Sequence, residues 1–86
     1  MNFAVVHFPE TEEVEVVPVI WIEEADGKCW WPHFKSTIKI GSAVKRMMPV
    51  DMHSWNLYNA RVIKLFGKYS ELFFIMNFEL LLKNVF

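Results

Sequence analysis

"EVEVVPVIWIEEADGKCWWP", residues 13–32, decides the fold. Glu13 and Glu15 alternate with Val14 and Val16, the period-two pattern of a strand with one wet face and one dry face. Pro18 has no N–H to offer a ladder, so the strand is at an edge there, is bulged there, or ends there. Asp26-Gly27 is a dipeptide that tolerates positive φ at a tight hairpin turn, and Lys28 to Trp31 then reads as a short strand closed by Pro32. In an extended strand Trp30 and Trp31 must point to opposite faces. One of them belongs to the core, and the other lies on the outer face or under a helix as a candidate binding residue.

Upstream, residues 2–8 suit a pleated surface, and "PETE" turns the chain into the strand that starts at Glu13. Downstream, the period changes. Ile40, Ala43, Val44 and Met47 fall at i, i+3, i+4 and i+7, one face of a helix of about two and a half turns. Ser36 or Ser42 can cap it, Gly41 weakens it and Pro49 stops it. Residues 49–58 form a loop carrying one large anchor, Trp55, and residues 58–65 are rich enough in Val, Ile and aromatic character for a fourth strand. The expected architecture is α+β: a small curved antiparallel sheet or partial barrel of three to four strands, one short amphipathic helix and a hydrophobic C-terminal segment.

The 86 residues allow one domain at most, with 53% hydrophobic and 22% charged residues arguing for a packed globule over disorder. Residues 1–66 read as a single small module. A single cysteine, Cys29, rules out an internal disulfide and points to a reducing compartment, nuclear or cytoplasmic. The N-terminus has no positively charged leader and its apolar run breaks at His7, Pro9 and Glu10, so secretion is not expected. The longest apolar stretch, residues 72–86, has 15 residues with Glu79 and Lys83 inside it, short of the roughly 18 to 20 needed to span a membrane.

Charge is divided along the chain. Residues 1–27 carry −7, residues 28–68 carry +7 and the remaining tail −1. Cations interleaved with Trp30, Trp31, Phe34, Trp55 and Tyr58 match a nucleic-acid surface, in which cations meet phosphates and ring faces meet bases. The candidate contacts are Lys28, Trp30, Trp31, Lys35, Lys39, Lys45 and Arg46. The alternative is that the acidic hairpin and the basic segment fold side by side and neutralise each other, consistent with a pI near 6.3. On that alternative a protein partner would use a strand edge and exposed aromatic surface.

Catalytic and metal signatures are lacking. Zinc needs about four N or S ligands in tight spacing, and the chain offers Cys29, His7, His33 and His53 without a second paired motif. No phosphate-cradling glycine loop occurs, and Glu10, Glu12, Glu13 and Glu15 lack the order of a calcium loop and read as a solvated acidic hairpin. Cys29 has no oriented base implied beside it. The expectation is a non-enzymatic protein with no cofactor and no metal.

Glu15 to Pro18, Trp21, Cys29 to His33, Ser42 to Lys45, and Trp55 to Ile63 together resemble an N-terminal module of animal proteins of transposon-related ancestry. The pattern is Glu-Val-Val-Pro, a following Trp, Cys-x-Trp-Pro-Pro, a basic Lys-Ala-Val-Lys helix, and Trp-x-x-Tyr leading into Arg-Val-Ile/Leu. The resemblance covers residues 2–65 and implies an interaction module of a mobile-element-derived protein, without assigning it a reaction. His33 stands where a second proline is usual, and the family's polar helix after residue 65 is replaced by "GKYSELFFIMNFELLLKNVF", residues 67–86. In that tail the polar residues fall on opposite sides of a helical wheel, leaving no single apolar stripe. Two origins fit: a docking helix, or a splice donor read through at Gly67-Lys68-Tyr69 into intron sequence. The second would make the chain a truncated product.

Overall fold

The computed structural model describes residues 1–68. The expectations for the C-terminal segment lie outside the described residues, save for Gly67 and Lys68. The described residues are α+β, with antiparallel strands and one short helix as expected, and their strands divide into two sheets of three.

The first sheet has the order β2-β1-β6, built from β1 (Phe3–Phe8), β2 (Glu13–Pro18) and β6 (Arg61–Phe66). The second has the order β3-β4-β5, built from β3 (Ile22–Glu23), β4 (Lys28–Trp31) and β5 (Asn56–Asn59). Pro18 ends β2, and the chain turns through a 3₁₀ segment, Val19–Trp21, whose Val19 N–H donates to the Asn2 carbonyl at 2.9 Å. A second 3₁₀ turn, Glu24–Asp26, leads to Gly27 at φ 62°, a left-handed conformation that glycine adopts without steric penalty, and thence to β4.

The run expected as one fourth strand is two. β5 pairs with β4 and β6 with β1, and at Ala60 the chain passes from one sheet to the other, its N–H donating to the Gly27 carbonyl at 3.0 Å. Corners of this kind let a single extended segment close two sheets around one core. In β6 the register slips between Val5 and Val6, which leaves Ile63 as the extra residue of a bulge.

Helix α1 (Thr37–Lys45) is capped by Ser36, whose Oγ accepts from the Lys39 N–H at 3.4 Å. Ala43 and Val44 are buried, and Ile40 packs against the same core. Met47 departs from expectation: it is 39% exposed because the helix ends at Arg46, before the fourth position of the apolar face is reached. Met47 N–H donates to the Val44 carbonyl and Met48 N–H to the Ala43 carbonyl, with Met47 at φ 50°. This is the paired termination that glycine usually supplies, here with a methionine in the left-handed position.

Trp21 is the centre of the core. It is fully buried, its Nε1–H donates to the Met48 carbonyl at 2.8 Å, and its ring meets Trp55 and Trp31 edge-on at 4.9 and 6.0 Å between centroids. The same indole therefore satisfies a carbonyl beyond the helix end and ties α1 to the second sheet. Ala4, Val6, Val17 and Cys29 are buried with it.

Candidate functional site

Register determines what faces the gap between the sheets. On β1 and β2 the partners are Ala4 with Val17, Val6 with Glu15, and Phe8 with Glu13. Directly paired residues share a sheet face, so Glu13 and Glu15 lie on the face whose other members, Ala4, Val6, Val17 and Phe8, are buried. Val14 and Val16, expected as the dry face, pair with His7 and Val5 on the reverse side and are half-buried. They pack against the core as the alternation predicts, and β1 is buried on both sides, so the two carboxylates also stand in line with apolar residues that pack inward.

Opposite them, β4 and β5 pair Cys29 with Tyr58 and Trp31 with Asn56. Cys29, Trp31 and Tyr58 thus share one face, which places Trp31 and Tyr58 beside the β1–β2 hairpin. The ring of Phe8 stands close to perpendicular to both: 5.7 Å and 76° from Trp31, 6.2 Å and 85° from Tyr58. Together these elements enclose an open cleft of about 210 Å³, with Phe8, Trp31 and Tyr58 as aromatic walls and Glu10, Glu13 and Glu15 as carboxylates, completed by Thr11 and Asn59. Glu10 Oε1 accepts from Asn59 Nδ2 and so clasps the hairpin turn to the end of β5.

Trp30 and Trp31 do face opposite ways, and both are half-buried. Trp30 lies on the outer face of β4 with Lys28, and its Nε1–H donates to Glu23 Oε1 at 3.1 Å. Glu23 is also the register partner of Lys28, an opposite-charge cross-strand pair of the neutralising kind. Trp31, the inward residue, is the one that reaches the cleft. It sits among glutamates, on the other side of the strand from Lys28 and Trp30.

The remaining candidate cations are Lys35, exposed ahead of the helix, and Lys39, Lys45 and Arg46, exposed on α1 and its C-terminus. Lys39 and Arg46 are seven apart and share a helix side, while Lys45 projects about 100° away from Arg46. α1 packs on β2, and the seven candidates are distributed over the helix and the segment ahead of it, the outer face of β4 and the cleft.

Cys29 is sealed in the core, its Sγ–H donating to the Trp30 carbonyl at 3.3 Å, and burial pushes its thiol up to about 12. Such a thiol is a structural residue, poorly placed to act as a nucleophile or a metal ligand. His33 is exposed. Among the described residues no three His, Cys, Asp or Glu side chains converge to hold a metal, and no helix is long and apolar enough to cross a membrane. Asp51 accepts from Ser54 Oγ at 2.7 Å and the His53 N–H at 3.0 Å, which lowers its carboxyl below the usual range and fixes the turn that delivers Trp55 to the core.

The sequence reading missed Phe8, Glu13, Glu15 and Tyr58 as partners in one site. Sequence pattern alone puts Glu13 and Glu15 in a solvated hairpin and groups Tyr58 with the cations near it in the chain. The signal that would have joined them is the pairing of β4 with β5, which no local pattern states. No family model, no curated protein and no solved structure matches the chain.

Proposed function

We propose that this chain is a non-enzymatic binding module whose partner is a protein, held in the acidic aromatic cleft between the β1–β2 hairpin and β4–β5. The observation that carries this reading is Glu13 and Glu15 standing on the inward face of β2 opposite Trp31 and Tyr58. Residues chosen for stability alone at those positions would be apolar, since their row on the sheet is otherwise buried. A concave site with ring walls and a few polar groups is the usual form of a ligand-binding cleft, and this one is sized for a side chain more than for a whole small molecule. The motif resemblance to modules of transposon-related ancestry is compatible with a recruiting role.

The second reading is nucleic-acid contact through Lys35, Lys39, Lys45 and Arg46, favoured by their common exposure on and beside α1. It is weakened by the fate of the tryptophans: Trp31 is among carboxylates, and the Trp30 N–H is held by Glu23. A library of immobilised peptides probed with the full chain and with its Tyr58→Leu variant tests the first reading. Enrichment of peptides by the parent that is lost in the variant supports it. No such enrichment, together with DNA or RNA binding that falls steeply with salt and disappears on reversing Lys39 and Arg46, would assign the function to the helix instead.

A further inference from the structure

We infer that the group the cleft receives is a methylated lysine side chain of the partner. The inference rests on the protein-binding reading above and names the chemistry of its ligand. Ring faces carry negative electrostatic potential and attract cations, most strongly at tryptophan. Phe8 meets Trp31 and Tyr58 edge to face, and all three rings line the one cleft. Glu10, Glu13 and Glu15 line the same space. The lining carries carboxylates, exposed Glu13 among them, and no Lys or Arg, so it repels a phosphate and attracts an ammonium.

Methylation follows from the balance of apolar and charged walls. A bare lysine ammonium is compact and strongly hydrated, and moving it against ring faces strips water that the rings do not replace. Methyl groups remove N–H donors that would need partners, spread the charge, and present apolar surface to Phe8 and Trp31. The cleft, about 210 Å³ and open to solvent, accommodates the end of one side chain, while the rest of the peptide stays outside. Arginine would place a flat, five-donor fork there, which needs more aligned acceptors than a cleft walled largely by rings supplies.

The test is a titration of the full isotope-labelled chain with N-acetyl trimethyl-lysine methylamide, followed by NMR. Parallel titrations use the lysine and arginine compounds and the uncharged tert-butyl isostere of trimethyl-lysine. Expected are shifts of the Trp31 indole N–H and the Glu13 and Tyr58 amides, with the Trp30 indole still. The trimethyl compound should bind about tenfold more tightly than lysine or the neutral isostere, and Tyr58→Leu and Glu13→Gln should each weaken it by about three- to tenfold. Both positions are exposed, so neither variant opens the core. Equal binding of the neutral isostere overturns the cation argument. Tighter binding of lysine or arginine overturns methylation, and no shift at Trp31 overturns the site. Cleft-dependent peptide enrichment without a response to the trimethyl compound would sink this inference and leave the protein-binding reading standing.

Discussion

Replacing Glu13 with valine should make the protein more stable while it loses its ligand. Glu13 is the register partner of Phe8 on the inward face of β2, and it is exposed at the edge of the cleft. Valine there forms an aromatic–β-branched cross-strand pair worth about 0.2 to 1 kcal/mol. It also suits a strand better than glutamate, on a scale spanning about 1 kcal/mol. Only part of the burial term applies, because the position remains partly open. A net gain of about 0.5 to 1.5 kcal/mol is expected, and with a urea m-value of about 1 kcal/mol/M for so short a chain the midpoint rises by about 0.5 to 1.5 M. Equilibrium urea unfolding of the full chain, followed by tryptophan fluorescence, reads the shift. Titration of the same variant with trimethyl-lysine reads the loss of affinity. A glutamate kept at the expense of stability is the mark of a residue retained for binding. Destabilisation of Glu13→Val by more than about 0.5 kcal/mol, beyond the scatter of ordinary surface substitutions, would refute this reasoning. It would show that the carboxylate supports the fold, leaving its inward position without functional meaning.

Two further outcomes follow from the fold. Met47→Gly should stabilise the chain by about 0.5 to 1 kcal/mol, because it relieves a left-handed residue at about 1 to 2 kcal/mol against glycine's extra unfolded-state entropy of about 0.5 to 1. Met47→Ala removes the same side chain and keeps the φ penalty, so a gain equal to glycine's in urea unfolding would show that the backbone is unstrained. Cys29 should resist alkylation at pH 8 in the native chain and react on denaturation, as thiol trapping with mass spectrometry will show. Its folded value of about 12 lies above the ordinary 9.0, so the unfolded state sheds the proton first. Stability is therefore intact below pH 9 and falls between 9 and 12, by up to about 1.4 kcal/mol per pH unit. Native reactivity matching that of the unfolded chain would contradict the sealed position.

Local features of the fold were legible where local physics decides them. β1 and β4 begin and end close to where strand propensity and Pro32 place them, Ser36 caps the helix, and Pro18 ends β2, one of the three fates open to it. Three things were not legible. The passage from β5 to β6 has no breaker residue: Ala60 marks it only through a hydrogen bond to Gly27, more than thirty positions away. The early end of α1 depends on Met47 taking a conformation that its residue type disfavours. And the alternation of Glu13 and Glu15 with Val14 and Val16 identifies two faces without saying which one meets the second sheet. That choice is made by β1, whose Ala4, Val6 and Phe8 are buried on the glutamate side and whose Phe3 and Val5 are buried on the other.

The same ambiguity governs how the aromatic residues are to be understood. A ring face is indifferent in sequence: it stacks on a nucleobase among cations and attracts an ammonium among carboxylates. Trp30, Trp31 and Tyr58 lie within the segment that carries +7, so chain proximity assigns them to a phosphate-binding surface. Pairing in space divides them differently. Strand alternation sends Trp30 to the outer face, where Glu23 takes its N–H, and sends Trp31 inward, where the β4–β5 register sets Tyr58 on the same face and the hairpin brings in Phe8 with its glutamates. The two adjacent tryptophans thus each meet an acidic group, although neither has an acidic neighbour within three positions in the chain. The acidic charge of residues 1–27 reaches the rings only because β1 and β2 fold against β4 and β5. A positive ligand is the expectation for rings in that setting, whatever the charge of the segment that encodes them.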